Sequence, residues 1–264
     1  MAFVLQSFKS YFCSMEQSVY DLLMSKSEKH RLEFLPHISI DCVVFGFHEA
    51  SLKVLLLKMK GEDTWSLPGG YVGKQEDLEE AANRILEERT GATNIYLQQF
   101  KVFSDPNRSQ HFFAEMPDAL WHKQRFVSVG FYALIPYLSV TPVSDEASDV
   151  CLWCDIHDMP ALMMDHQQIF EGALLSLRRE LTYKPIGYNL LPEEFTLPEL
   201  QKLYEIILGR KLNRGNFYRK IMAYDVLDKL EGARRGGAHK APYLYKFNQE
   251  KYKAALHNGF KDNW

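Results

Sequence analysis

The segment from Trp65 to Gly91 constrains the fold more than any other, because it fixes a turn and a helix at a set spacing. The turn reads LPGG over residues 67–70, and Gly91 ends the helix that we predict over residues 78–89. Apolar residues recur there at the three- and four-residue spacings that bury one face of a helix. They are Leu78, Ala81, Ala82, Ile85 and Leu86. The segment therefore predicts a glycine-rich turn followed directly by an amphipathic helix.

This segment resembles the Nudix box, a pattern written G-x5-E-x7-R-E-U-x-E-E-x-G-U in which U is an aliphatic residue. The residues that match the pattern in register are Gly70, Glu76, Arg84, Leu86, Glu88 and Gly91. Two glutamates of the pattern are missing, because Ile85 and Arg89 occupy their positions. The resemblance implies a Nudix fold, which is an α/β/α sandwich around a mixed sheet.

The two replacements decide what chemistry we expect. Mg²⁺ prefers oxygen ligands, and in nucleotide sites carboxylates hold it together with substrate phosphates. Ile85 offers no oxygen, and the guanidinium of Arg89 favours an ion pair with Glu88 over a magnesium site. We therefore predict a domain that binds a ligand without cleaving it, with no catalytic residues, no metal and no cofactor. A Nudix pyrophosphatase is the alternative, and it would need to recruit Glu76, Glu80 or Glu87 as metal ligands.

Charge is distributed unevenly along the chain. The 264 residues have a net charge of −3, but residues 1–166 have a balance of −9 and residues 167–264 a balance of +6. This asymmetry suggests two domains with different partners, and the basic one is a candidate for nucleic acid. The four cysteines are too few to suggest a disulfide framework.

The beginning of the chain does not look like a targeting segment. Lys9, Glu16 and Asp21 interrupt the apolar residues that a signal peptide would need. No apolar run approaches the length of a membrane span. We therefore expect a cytoplasmic protein without a membrane partner.

The sequence pattern changes from strands to helices along the chain, and the predicted fold class is α+β. We predict a helical extension over residues 1–34, a Nudix-like sensing domain over 35–160 and a DNA-binding domain over 161–255. The predicted strands of the second domain are 37–47, 52–59, 96–104, 126–135 and 150–155. A polar and aromatic insertion, residues 105–125, is long enough to suggest a functional role.

The basic half has the outline of a winged helix-turn-helix, which is a helix pair followed by a hairpin. After a helix over 166–180, Thr196 and Glu199 form a capping box that starts the next helix. Gly209 ends that helix, and Asn213 can cap a shorter one that runs to about residue 223. A basic glycine-rich hairpin over 227–247 would be the wing.

The second helix of such a pair enters the major groove of DNA. Phe217 and Ile221 are four residues apart and should point into the domain core, which leaves the basic side chains for DNA. An ordinary solvated basic face is the alternative interpretation. The candidate DNA-binding residues are Arg210, Lys211, Arg214, Asn216, Tyr218, Arg219, Lys220, Arg234, Arg235, His239 and Lys240.

Together the two halves resemble the Nudix-related transcriptional regulators, over roughly residues 35–250. The more specific segments are FTLPELQ at 195–201, ILGR at 207–210 and NFYRK at 216–220. The resemblance implies a repressor in which a Nudix domain senses a small molecule and a winged helix binds double-stranded operator DNA as a homodimer. Some members respond to ADP-ribose, and others, in Bacteroides-type bacteria, respond to arabinose or related sugars.

The expected effector is a small metabolite bound near the LPGG turn. The aromatic insertion and the incomplete metal cluster favour a neutral pentose such as L-arabinose, and ADP-ribose is the alternative. Flat aromatic faces and a few directed polar groups are what such pockets use. The expected effector-binding residues are Asp41, Trp65, Tyr71, Arg84 and Glu88.

Overall fold

A computed structural model describes most of the chain. The described residues are 17–60, 63–93, 95–109, 111–114, 117–140, 142–144, 148–233 and 242–258. The predicted helical residues 1–16 and four predicted wing residues, Arg234, Arg235, His239 and Lys240, lie outside these ranges.

Within the described residues, seven strands form one mixed sheet. Their order is β3-β2-β1-β6-β5, with β4 paired to β1 and β7 paired to β2. The pairing of β1 with β6 is parallel and the other pairings are antiparallel. The strands are β1 (Phe34–His48), β2 (Ser51–Met59), β3 (Trp65–Ser66), β4 (Gly69–Gly73), β5 (Tyr96–Phe103), β6 (Val127–Leu134) and β7 (Ser148–Asp155).

Helix α2 (Leu78–Thr90) covers one face of the sheet, as the apolar pattern predicts. Asp77 and Glu80 form a capping box at its start, and Gly91 ends it in the left-handed conformation with φ of 66°. Its buried stripe includes Ile85 and packs against alternate residues of β1, because side chains of a strand alternate between faces. These β1 residues are Ile40, Cys42 and Val44.

The opposite face of the sheet is covered by helix α3 (His166–Glu180), whose bounds the sequence predicted. Val43 and Phe45 of β1 pack there with Ile169 and Phe170. The predicted α/β/α sandwich is therefore confirmed. The helix of its second layer, α3, lies within residues 161–255, which were predicted as the DNA-binding domain. Helix α1 (Gln17–Glu33) precedes β1.

The winged helix follows α3. Thr196 and Glu199 form the predicted capping box, Gly209 ends α4, and the side chain of Asn213 caps α5. Three strands form a small sheet in the order β8-β10-β9. The helix after the wing, in which Tyr252 is buried, was not predicted from the sequence. The elements are β8 (Phe195–Thr196), α4 (Leu197–Leu208), α5 (Arg214–Ala223), β9 (Leu227–Ala233), β10 (Tyr243–Phe247) and α6 (Gln249–Asn258).

One apolar core continues from the sheet into the winged helix. Phe45, Phe170 and Leu177 belong to the same cluster of buried side chains as Leu200 and Ile221. Helix α3 contacts β1, β5 and β6 on one side and α4 on the other. It is thus part of both domains. None of the described helices is both long and apolar enough to cross a membrane.

We predict opposite effects for alanine at two glycines of the winged helix. Gly209 has φ of 67°, so Gly209→Ala should destabilise the fold by about 1 kcal/mol through backbone strain. Gly215 lies inside α5, where an added Cβ would make only ordinary contact with Asn213. Gly215→Ala should stabilise by up to about 0.5–1 kcal/mol. Thermal unfolding measures both variants, and shifts of the same sign would contradict the assignment.

Candidate functional site

Asp41 lies at the centre of a buried polar cluster on the α3 face of the sheet. Its Oδ2 accepts hydrogen bonds from the hydroxyl of Ser128 on β6 at 2.5 Å and from Nη2 of Arg108 at 3.0 Å. The parallel pairing of β1 with β6 brings Ser128 to this position, since it sets Asp41 opposite Gly130. Asp41 was expected to bind effector, and the structure places it beneath the 105–125 insertion.

Arg108 links the insertion to the start of α3. Its Nε and Nη2 donate to both carboxylate oxygens of Asp165, each at 2.8 Å. The side chain of Arg108 is only 5 % exposed, and that of Asp165 is 11 % exposed. Neither residue was predicted from the sequence, because an arginine in an irregular loop and an aspartate before a helix have no shared spacing.

His166 completes this cluster. Its Nδ1 accepts a hydrogen bond from the backbone N–H of Leu67 at 2.9 Å, so a neutral ring carries its proton on Nε2. That nitrogen lies 3.7 Å from Oδ1 of Asp41. Burial lowers the pKa of His166, although Asp41 and Asp165 oppose this effect. The ring is therefore neutral near pH 7, and the LPGG turn is fastened to α3.

Arg84 braces the turn against α2. Its Nε and Nη2 bind the two carboxylate oxygens of Glu76 at 3.0 and 2.7 Å, and Nη2 also donates to the carbonyl of Tyr71 at 2.9 Å. The hydrogen bond from Arg84 lowers the pKa of Glu76, which keeps the pair charged. Most donors of Arg84 are thus used within the protein, which limits what it can offer an effector.

The other predicted effector-binding residues are dispersed. Tyr71 lies in a cluster of rings with Phe34, Trp121 and Phe126 at centroid distances of 5.1 to 5.7 Å. Trp65 is half-buried in β3 and packs against the core on the α3 side. Glu88 lies on the exposed outer face of α2. Their binding of a ligand stays a prediction.

The residues of the Nudix box do not fit a magnesium ion. Ile85 is 2 % exposed and lies in the apolar cluster beneath α2. Glu88 is paired with Arg84 at 3.4 Å. Of the possible substitutes, Glu76 is held by Arg84, and Glu80 accepts from the backbone N–H of Asp77. Among the described residues, no three carboxylate, histidine or cysteine side chains form a metal-binding group.

We predict that millimolar Mg²⁺ leaves the melting temperature of this protein unchanged, because no three possible ligand side chains of the described residues come together. The double variant Ile85→Glu with Arg89→Glu restores the missing carboxylates. It should be less stable without metal, since one carboxylate enters an apolar cluster. It should then gain about 1.4 kcal/mol at a tenfold excess of Mg²⁺ over its Kd. A rise in the melting temperature of the unaltered chain would show a metal site that we have missed.

Helix α5 presents the predicted DNA-reading side chains to solvent. Phe217 and Ile221 point into the core, as expected from their spacing, while Arg214, Asn216 and Tyr218 are exposed. Nη2 of Arg219 donates to Oδ1 of Asn216 at 2.5 Å, so these two side chains form one polar unit. The exposed face of α5 therefore combines a guanidinium, an amide and an aromatic ring.

Two more of the predicted DNA contacts have partners within the protein. Lys211 forms an ion pair with Glu205 at 3.1 Å. The ammonium of Lys220 donates to the carbonyl of Thr182, which follows α3. Arg210 is exposed in the turn between the helices. Lys220 thus connects α5 to α3, a role that the sequence did not indicate.

Models of two protein families match this chain. The NUDIX domain model matches residues 35–172, which is more than half of the chain. This chain belongs to the Nudix family. The model of the NrtR DNA-binding winged helix domain matches residues 187–247, the region that contains α4, α5 and the wing. Both predicted domain types are therefore present in this Nudix protein.

Two relatives match this Nudix protein over most of its length, and a third matches about half of it. The ADPR responsive transcriptional repressor NtrR of Acinetobacter baylyi is 27% identical over 224 residues, which cover 82% of this chain and 84% of the relative. The crystal structure of Shewanella oneidensis NrtR with a 27mer DNA has a TM-score of 0.67 and 27% identity, covering 82% of this chain and 95% of that one. An ADP-ribose pyrophosphatase of Methanocaldococcus jannaschii is 27% identical over 147 residues, covering 54% of this chain and 76% of that enzyme.

Proposed function

We propose that this protein is an ADP-ribose-responsive transcriptional repressor that binds operator DNA as a homodimer. The observation that carries the proposal is the combination of two features in one chain. Two glutamates of the Nudix pattern are replaced, by the buried Ile85 and by Arg89, and the remaining Glu88 is paired with Arg84. The exposed face of α5 carries Arg214, Asn216 and Tyr218. A ligand-sensing domain joined to a DNA-binding domain accounts for both of these features.

The proposed effector differs from the one that the sequence favoured. A pentose such as L-arabinose has no support among the relatives described above, and ADP-ribose is named by the repressor of Acinetobacter baylyi. Arg108 adds a physical reason, because a guanidinium suits the planar, bidentate recognition of phosphate oxygens and a neutral sugar gives it no opposite charge. ADP-ribose carries such a diphosphate group. The cytoplasmic location expected from the sequence belongs to this proposal.

Hydrolysis is the second candidate function, since the chain is also similar to an ADP-ribose pyrophosphatase. The side chains of the Nudix box argue against it. A metal-assisted displacement needs carboxylates that hold the ion against the phosphates. Here Glu76 and Glu80 are bonded within the turn and the helix start. We therefore place the protein with sensors rather than with hydrolases.

We predict that ADP-ribose binds to the full chain without being cleaved, and that L-arabinose does not bind. Isothermal titration calorimetry should give heat with ADP-ribose alone. Incubation with ADP-ribose and Mg²⁺, followed by detection of AMP, should give only background. Turnover of about one per second or faster, an ordinary enzymatic rate, would contradict the sensor. Heat with L-arabinose and none with ADP-ribose would instead show that the effector is a pentose.

A second measurement tests whether ADP-ribose changes the affinity of the protein for DNA. An operator selected by the full chain from random 30-base-pair duplexes serves as the DNA probe. ADP-ribose should weaken its binding about 5- to 150-fold in a gel shift, and the DNA should weaken ADP-ribose binding by the same factor. Sedimentation of a monomer both free and on this DNA would contradict the homodimer.

We predict that Arg214→Ala and Arg219→Ala each weaken binding to the selected operator. A side chain that reads a base contributes about 1–3 kcal/mol, so the loss should be about 5- to 150-fold and sequence preference should relax. Lys253→Ala is the matched control, since it removes an exposed positive charge from α6, away from α5. If all three variants bind like the parent, the reading helix is misassigned.

A further inference from the structure

Arg108 is the connection between the insertion, the sheet and α3. It joins Asp41 on β1 to Asp165 immediately before α3, through three hydrogen bonds of 2.8 to 3.0 Å. A buried guanidinium with two carboxylate partners is held strongly, because losing either partner leaves a charge in a poorly solvated place. Arg108 therefore ties the start of α3 to the sheet, while apolar packing holds the rest of the helix.

The charges of this cluster do not balance. Asp41 and Asp165 are two carboxylates, Arg108 is one cation, and His166 is neutral because burial lowers its pKa. A further anion that approaches the cluster must therefore compete with these carboxylates for the same guanidinium. A neutral ligand would have no such effect.

Arg108 also has donors to offer a ligand. All three of its bonds to Asp41 and Asp165 use Nε and Nη2. Within the described part of the chain, no acceptor is bonded to Nη1, which carries two N–H groups. Guanidinium forks match the oxygens of phosphate groups. An anionic group can thus first bind Nη1 and then draw the guanidinium from its carboxylates.

The far end of α3 is tied to the DNA-binding helices. Nε of Arg178 donates to the carbonyl of Ile207 near the end of α4 at 2.6 Å. Just after α3, the carbonyl of Thr182 accepts from Lys220 of α5. Fifteen helical residues span about 22 Å, so α3 connects the Arg108 cluster to the recognition helix as one rigid element.

There is open space into which the winged helix can move. A cleft of about 760 Å³ separates the Nudix domain from the DNA-binding part. Thr93 and Pro136 line it on one side, and Asp228, Lys246 and Asn248 line it on the other. A tilt of α3 would therefore move the winged helix into solvent at this boundary.

We propose that Arg108 is an anion-binding residue of the effector site and that it couples the effector to DNA. A diphosphate group bound there takes the guanidinium from Asp165, which releases the start of α3 and shifts α5 relative to its partner in the dimer. This inference rests on the proposed function and names the regulation of that site. The DNA-binding state is the one in which Arg108 holds Asp165.

Substitutions of Asp165 and Arg108 in the full chain separate the roles of these two residues. Asp165→Asn removes the competitor for Arg108, so ADP-ribose should bind about threefold more tightly or better, because the penalty of opening is gone. The effect of ADP-ribose on operator affinity should fall to within about twofold. Arg108→Gln should instead weaken ADP-ribose binding about 10- to 150-fold, the loss of a charged hydrogen bond. Inorganic diphosphate should compete with ADP-ribose in the parent and not in Arg108→Gln.

Asp155→Asn is the matched control. It removes a carboxylate that pairs with Lys53 at 3.1 Å between β2 and β7, away from α3, and it should leave both affinities unchanged. Arg108→Lys keeps the charge but loses the bidentate geometry. Should Asp165→Asn melt too low to assay, Arg108→Lys must lose coupling while retaining ADP-ribose binding. Thermal unfolding of each variant establishes that it is folded.

The outcomes distinguish this inference from the proposed function. A parent chain whose operator binding ignores ADP-ribose would overturn both. A parent that responds, with Asp165→Asn equal to it in ADP-ribose affinity and in coupling, would overturn the role of Arg108 alone. Weaker ADP-ribose binding by a folded Asp165→Asn would do the same, since a purely structural ion pair predicts that result.

Discussion

The double-sided burial of helix α3 is the constraint on which this structure depends. One side of the helix closes the core of the Nudix sheet, and the other continues that core into the winged helix. Ile169 and Leu177 have no exposed surface. Because both domains bury apolar area against the same 15 residues, neither can reposition without disturbing the other. The Nudix domain and the winged helix are thereby joined by packing rather than by a flexible linker.

The start of that helix is fixed by polar groups rather than by packing. Asp41, Arg108 and Asp165 exchange hydrogen bonds in a region from which water is largely excluded, and His166 fastens the LPGG turn beside them. Such networks are demanding, since each member left without a partner carries a large desolvation cost. Breaking any one of these hydrogen bonds would therefore be costly at the point where α3 meets the sheet.

The Nudix box has kept the part of its frame that shapes the turn. Glu76 and Arg84 still join the turn to α2, and Gly91 still ends the helix with a positive φ. Ile85 has become part of the core beneath the helix. The turn and the helix of the Nudix box are therefore held together by interactions that need no metal.

The sequence by itself determined the elements whose signals are local. Capping residues at Thr196 and Asn213, the stop at Gly209 and the apolar spacing of α2 each act within one or two turns of chain. The match to the Nudix pattern and the loss of two of its glutamates are likewise properties of one short segment. These features predicted the fold class and the two domain types before any contact was known.

Only the tertiary structure decided which polar groups meet. Arg108 and Asp165 are 57 residues apart, Asp41 lies 67 residues before Arg108, and no spacing rule links them. The same holds for Lys220, which bonds to Thr182 and so serves the contact with α3 as much as any DNA surface. The partners of a buried charge are set by the low dielectric of the folded interior, where an unpaired guanidinium or carboxylate is costly. That cost arises only when the folded chain has removed these groups from water. The order of residues along the chain therefore does not reveal which groups pair.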